Sequence, residues 1–559
     1  PGTVIDNTTV TTGGTLTVQG DGLSISSSGL TGENGVSLLS NTGAGAPAAG
    51  PVLLNANIIL ATATGAQVLV QGTAGDAVRG DASFQGGTGV TLTNGNGISA
   101  GAGGSIVIRG QGAATGGTGV DFSRSYFQAT NVSITGTGLV LGDGVFAEDL
   151  TAGFNTRILA DNLTITGTGA DNTTTPTKVG VRLGANVQLN FGVNGGTGLI
   201  TGDNVVLGSI TGSTPAFRIT GSPDTFNVRS TDSLRVVNSS IDFLTAGRSG
   251  TVVNVLADSD ATGGGRARLE NSLLQSGGAN ITVSGQGVRR GTAPNPNANN
   301  TVRDGALGVF LIGSTISMGS ATATLNGTGP SDGTVQGTNL GNSGVGFQGT
   351  NSIVGGTIRI NADAGDYGRG MDIGFTSTTA ALNLQANDIA ITARGAGTDL
   401  NTGLPYAAVE ANSTSASTWT VLNPGTGLNT APLTVTSTAG PLTLGNINAS
   451  TGRFTATAPS AVDVVGSTIA AADSATITAT GAPVNNTLIQ VRNASITAGG
   501  ALTLDGTATS TGLGVAFQAG GSASGSTVTI NGTGVGEVGV GFSDNTGTNT
   551  ITATSGAIS

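Results

Sequence analysis

The stretch Gly104–Val145 spells out one unit twice, and most of the chain repeats it. Ser105-Ile106-Val107-Ile108-Arg109-Gly110-Gln111-Gly112 leads through a Gly/Thr run to Gly119-Val120-Asp121-Phe122. Val132-Ser133-Ile134-Thr135-Gly136-Thr137-Gly138 then leads to Gly144-Val145-Phe146. The step from Val107 to Val132 equals the step from Val120 to Val145, so both halves of the unit recur with one period. An alternating strand, a Gly-x-Gly turn, a variable loop and a Gly-Val opening of the next strand form the signature of a repeat architecture.

Neither half can stand alone. Strands of three to five residues bury one narrow apolar face each, too little for independent stability, so the units must stack on one another. The expected fold is all-β, a parallel β-helix with coils of roughly 20–25 residues whose inward Val, Ile and Leu stack on those of the next coil. Residues 1–559 are expected to form a single continuous rod, and the chain reads as an excerpt of a longer one, since it opens on Pro1 and stops at Ser559 in what looks like another unit. Gly after each strand suits a positive-φ or tightly packed corner. Asn131, Asn162 and Asn280 each stand directly before a strand, which predicts a partial asparagine ladder between coils.

Composition bears on function mainly by exclusion. The net charge is −11 with no basic run longer than Arg289-Arg290, which argues against nucleic acid as a partner. The chain has no Cys and no His, so disulfides, thiolate metal sites and the commonest general base are all missing. The most apolar stretch, Pro51–Val70, is broken by Asn55, Asn57 and Gln67 and is too polar for a transmembrane segment. No phosphate loop or calcium repeat occurs, and Gly95-Asn96-Gly97 is not followed by a helix, so no cofactor is expected.

The repeats Gly103–Val120 and Gly525–Val540, and the plainer coils of 430–480, resemble those of large bacterial exoproteins of the filamentous-haemagglutinin type and related autotransporter passengers. The resemblance covers most of the chain, although the group's N-terminal secretion domain is not recognisable in it. It implies a right-handed parallel β-helix, an extracellular or bacterial cell-surface location, and a role in adhesion, aggregation or biofilm formation rather than catalysis. The partners it implies are cell-surface glycans or proteins, or identical molecules on neighbouring cells, with homo-assembly into fibres as an alternative.

Few residues stand out as site candidates. The long loop Val288–Ala306 carries Arg289, Arg290 and Arg303, the chosen binding residues on the premise that function sits on loop excursions from a rigid scaffold. Parallel β-helices also include polysaccharide lyases and hydrolases, which use paired acids. Asp258 with Asp260, and Asp363, Asp366 and Asp372 near Tyr367, are the sequence-local acid groups, read as solvated caps rather than catalytic or metal sites. Trp419, the only Trp, is a sugar platform or, more simply, a plug at an end or side groove. Thr-x-Thr elements such as Thr322-Ala323-Thr324, Thr455-Ala456-Thr457 and Thr476–Thr480 would suit an ice-binding face only as a flat, regular array. Being far apart in sequence, they are read as ordinary strand surface.

Overall fold

The structure, a computed structural model, describes residues 2–40, 50–74, 87–113, 117–139, 142–149, 156–169, 179–192, 195–209, 217–243, 250–258, 265–287, 307–330, 342–374, 379–398, 403–411, 414–421, 431–543 and 547–559. Every regular element among them is a β-strand. They fall into two compact units, one holding the described parts of Pro1–Gly263 with Glu270–Gly277, the other those of Gly264–Leu269, Gly278–Ala293 and Asn300–Ser559.

In the first unit each coil contributes three strands, one to each of three faces. Val90–Thr93, Gly97–Ala100 and Ser105–Gln111 make one coil, and Val120–Phe122, Tyr126–Gln128 and Asn131–Thr137 make the next. Each strand pairs in parallel with its counterpart one coil on, Val90 opposite Val120, Gly97 opposite Tyr126 and Ser105 opposite Asn131. This is the expected parallel β-helix. Period-two alternation puts Val68 and Val70, Ile106 and Ile108, Val132 and Ile134, and Leu163 and Ile165 into the interior in register. Each such side chain, at most 2% exposed, contributes about 1.5–3 kcal/mol by leaving water. Larger gaps are filled by aromatics, Phe122 and Phe127 edge to face at 5.4 Å and Phe191, Phe226 and Phe243 as a trio.

The second unit has the same plan, with Thr322–Thr328, Thr357–Asp363, Asp388–Arg394 and Pro432–Ala439 successive on its third face. In its plainest coils the second and third strands run together as Ile447–Ala458 and Thr468–Gly481. Leu442 and Val462, paired on the first face, mark so short a step that no chain is left over for a loop. Coils of the predicted length are those without insertions. Where loops intervene the step lengthens, as from Val145 to Val181 and from Met371 to Val409, with the strand register kept.

The corners explain the glycines. At the third-to-first corner, glycines from the Gly-x-Gly turn face the glycine before the next strand. A Cβ on Gly110, Gly136 or Gly167 would lie 1.9, 1.9 and 1.8 Å from the carbonyl oxygens of Gly119, Gly144 and Gly180. Gly327, Gly506 and Gly532 repeat this in the second unit. None of the six has positive φ, so the requirement is close backbone approach, not handedness.

The first-to-second corner works differently. A left-handed residue turns the chain, at Ser27, Ala56, Gly95, Arg124, Asn238 and Asn271, and a buried polar residue follows at Ser28, Asn57, Asn96, Ser125, Ser239 and Ser272. In four of these the side-chain oxygen accepts the corner amide one coil back. Ser28 takes the amide of Thr8 (3.2 Å), Asn57 that of Ser28 (3.1 Å), Asn96 that of Asn57 (3.1 Å) and Ser272 that of Ser239 (3.2 Å). Asn351 on Ser314, Ser417 on Leu382 and Ser467 on Ile447 do likewise in the second unit. The device satisfies buried donors where the turn takes the backbone out of the strand ladder.

The predicted asparagine ladder is partly present. Asn131 and Asn162 are in register, Asn162 Nδ2 donates to Asn131 Oδ1 at 3.0 Å, and Asn162 Oδ1 accepts the Thr197 amide at 3.0 Å. Asn280 accepts the Thr322 amide at 3.0 Å, so its partner is a threonine. This ladder is exposed, whereas the buried one is carried by residues that looked like mere interruptions of apolar sequence.

Candidate functional site

Arg289, Arg290, Arg303 and the rest of the 288–306 loop lie outside the described residues, as does Asp260. Asp258 takes left-handed backbone (φ 55) and donates its amide to the Asp232 carbonyl. The 363–372 acids part company. Asp363, at the end of a third-face strand, receives Nε of Arg394 on both oxygens at 3.0 Å and Nη2 at 2.5 Å, while Asp372 sits on the first face against Arg369. Among the described residues no three acidic side chains lie together to hold a metal. Trp419 is fully buried in the Ser417–Val421 strand between Leu384 and Ala449, with Nε1 unpaired. It is a core side chain, neither a sugar platform nor a plug at an end or groove, because an indole facing inward fills the interior between coils.

The first face carries charge that sequence reading missed. In the first unit Val179 donates its amide to Asp143 (3.1 Å) and Arg182 Nε lies 3.3 Å from the same carboxylate, with the guanidinium over Phe146. Asp121 belongs to the adjoining coil, and burial, reinforced by Asp143, pushes its carboxyl up to about 6. In the second unit Arg369 joins Asp372 (2.6 Å) and Glu410 (2.5 Å). Burial opposes its charge, but the two carboxylates outweigh that and hold its pKa above the ordinary value. Asp121, Asp143 and Arg182 come from three successive coils, and Glu410 from the coil after Arg369, so no local motif announces either knot. The spacing that repeats the coil is the only sequence signal.

Asp463 offers a clean test. Burial raises its carboxyl to about 6, only partly offset by Arg492 at 3.8 Å. With a folded pKa above the unfolded value, its favourable contribution is full below about pH 4 and is lost as pH rises through about 6. Asp463→Asn is therefore expected to be about 1–2 kcal/mol more stable than the parent at pH 7.5 and about equal at pH 3.5 in denaturant titrations. A less stable variant at pH 7.5 would show that the Arg492 pair outweighs burial.

The third face of the second unit presents ordered rows of threonine. Thr434, Thr455, Thr476, Thr503 and Thr529 form one outward row in register, and Thr392, Thr436, Thr457 and Thr478 form the next. The expectation that these Thr-x-Thr elements are dispersed is corrected here. Equal steps from Thr434 to Thr455 to Thr476 set them side by side, though Thr322–Thr324 stands outside that block, with Arg359 next to Thr324. Beneath them Leu433, Val435, Phe454, Ala456, Ala475 and Ile477 are buried, so the outward threonines are fixed by the core below.

Among the described residues no helix is long and apolar enough to cross a membrane. No family model and no curated protein matches the chain, so its assignment rests on its own architecture, a parallel β-helix built from sequence repeats.

Proposed function

We propose that this chain is a display scaffold of an extracellular adhesin or surface fibre, acting in attachment, aggregation or biofilm formation. Its partners on this reading are cell-surface glycans or proteins, or identical molecules on neighbouring cells, and homo-assembly into fibres belongs to the same class of function. The observation that carries the proposal is the constancy of first-face strand register across coils of very different length, the short step Leu442–Val462 and the long step Met371–Val409 alike. Chain inserted between strands without disturbing the first-face ladder is what a presenting scaffold requires.

One observation favours a second reading, a β-helix polysaccharide lyase or hydrolase. Asp121 titrates near 6 beside Asp143 and Arg182, a pairing of acids and a cation suited to proton transfer on a glycan. Beads coated with the chain are expected to bind cells or clump with one another, and replacing Arg289, Arg290 and Arg303 by alanine to lower that binding. Beads that stay inert while the soluble chain cleaves a polysaccharide, with cleavage lost in Asp121→Asn, would transfer the assignment to the enzyme.

A further inference from the structure

We infer that the third face of the second unit binds crystalline water through the block Thr434, Thr436, Thr455, Thr457, Thr476 and Thr478. Three observations converge on it. The six residues form a two-dimensional array, two outward positions on each of three consecutive coils in unbroken pairing between Pro432–Thr436, Arg453–Thr457 and Ser474–Thr478. Among the described residues no side-chain hydrogen bond engages any of the six hydroxyls, whereas Thr451 beside the block spends its own on the carbonyls of Ala431 and Arg453. All six are held half-buried above an apolar layer, so hydroxyl and methyl are presented at fixed positions.

The metric then selects the ligand. Neighbouring strands are about 4.8 Å apart and alternate residues along a strand about 6.7 Å apart. Flat sheets are typically those stabilised by stacking, and three neighbouring coils are all that the block requires. The two spacings lie close to the distances between oxygens on the low-index planes of hexagonal ice. Threonine supplies both parts such a plane requires, a hydroxyl that takes a lattice water's place in hydrogen bonding and a methyl that orders the water around it. β-Branching restricts χ1, so little rotamer freedom remains to be lost on contact. A crystalline polysaccharide would call for coplanar aromatic platforms, and this block offers none. The inference does not depend on adhesion, because the array lies on strands and the candidate attachment residues on a loop.

The test is partition of the intact chain into slowly growing ice, read as the ratio of protein in ice to protein in liquid. The parent is expected to be enriched at least tenfold over a non-binding protein of similar size. Thr455→Tyr with Thr457→Tyr, which breaks the plane at its centre, is expected to return the ratio to that of the non-binder, with the circular-dichroism melt confirming the fold. Thr497→Tyr, on the second face, is expected to leave enrichment unchanged. Exclusion of the parent from ice overturns the inference whether or not the variants fold. Equal loss in the Thr497 variant, or retention in the central pair, overturns the assignment to this face, and binding to cellulose or chitin with exclusion from ice replaces it with a polysaccharide surface.

Discussion

Gly167→Val is expected to unfold the coil around it and to lower stability by about 3–5 kcal/mol, among the largest effects of any single substitution in the first unit. A Cβ there would stand 1.8 Å from the Gly180 carbonyl oxygen and 2.8 Å from a Val181 methyl, and the obstructing group is backbone held in the strand ladder. Relief would require separating the third-face strand Asn162–Thr168 from the first-face strand Val181–Leu183, each of which pairs with coils on both sides. Because coils in such a stack contribute with their nearest neighbours, damage should stay local. Hydrogen exchange is expected to show lost protection over the neighbouring coils first, accompanied by a lower urea midpoint. Gly97→Ala is the control. Nothing lies within 4 Å of its Cβ and its φ is not positive, so a change within about 0.5 kcal/mol is expected. Equal losses in both variants would mean that the glycines serve the flexibility of the unfolded chain and not the packing of the corner.

That contrast also marks how far the fold is legible in sequence. Gly-x-Gly after an alternating strand reports the period in the coils where the corner leaves no room for a Cβ, though Ala362 and Ala479 stand in register with Gly327 and Gly506 and carry no such mark, and the long third-face strands, such as Asn131–Thr137 and Asn162–Thr168, show their alternation openly. Second-face strands such as Tyr126–Gln128 are too short for alternation to be distinguished from a loop. Asn57 and Asn96 read as polar breaks, since the benefit of burying an amide appears only when the next coil brings its partner. The same holds for function. Asp121 with Asp143, and Arg369 with Glu410, are assembled by stacking, whereas the acid groups that are local in sequence, Asp363 and Asp372, end on different faces. The threonine block was the most accessible of the missed features. Its regular recurrence is visible in the chain, but only register shows that recurrence to mean adjacency.

The two kinds of corner are closed by different means. Where both are present, facing glycines close the third-to-first corner by contact between backbones, and the chain between those glycines ranges from Gly532–Gly539 to Gly285–Gly308 with the contact retained. Insertions are admitted there because both ends of the excursion are fixed. The first-to-second corner has a tight form, a left-handed residue followed by a buried acceptor, but longer chain is admitted there too, as between Val145–Ala147 and Thr156–Ala160, Val205–Gly208 and Phe217–Thr220, and Arg369–Ile373 and Ala381–Ala386.

Asn57→Leu tests the second corner and is expected to cost about 2–4 kcal/mol even though leucine is similar in size and more apolar. The asparagine is fully buried, accepts the Ser28 amide at 3.1 Å, and donates to Ile25 O at 2.7 Å and Asn96 Oδ1 at 3.2 Å. Leucine would strand the Ser28 amide and the Ile25 carbonyl in an apolar interior, and the penalty for unpaired buried groups exceeds the gain from a more apolar side chain. Asn57→Ser is expected to recover part of the loss, because Ser28 and Ser125 fill the same post in other coils and a serine hydroxyl can accept the same amide. Asn131→Ala, on the exposed ladder, is expected to cost under about 1 kcal/mol, since water replaces its partner. The order Leu worse than Ser at position 57, with both worse than Asn131→Ala, follows from hydrogen bonding alone. A leucine variant as stable as the parent would mean that the corner is held by packing, and that the polar residues beneath it select register without supplying stability.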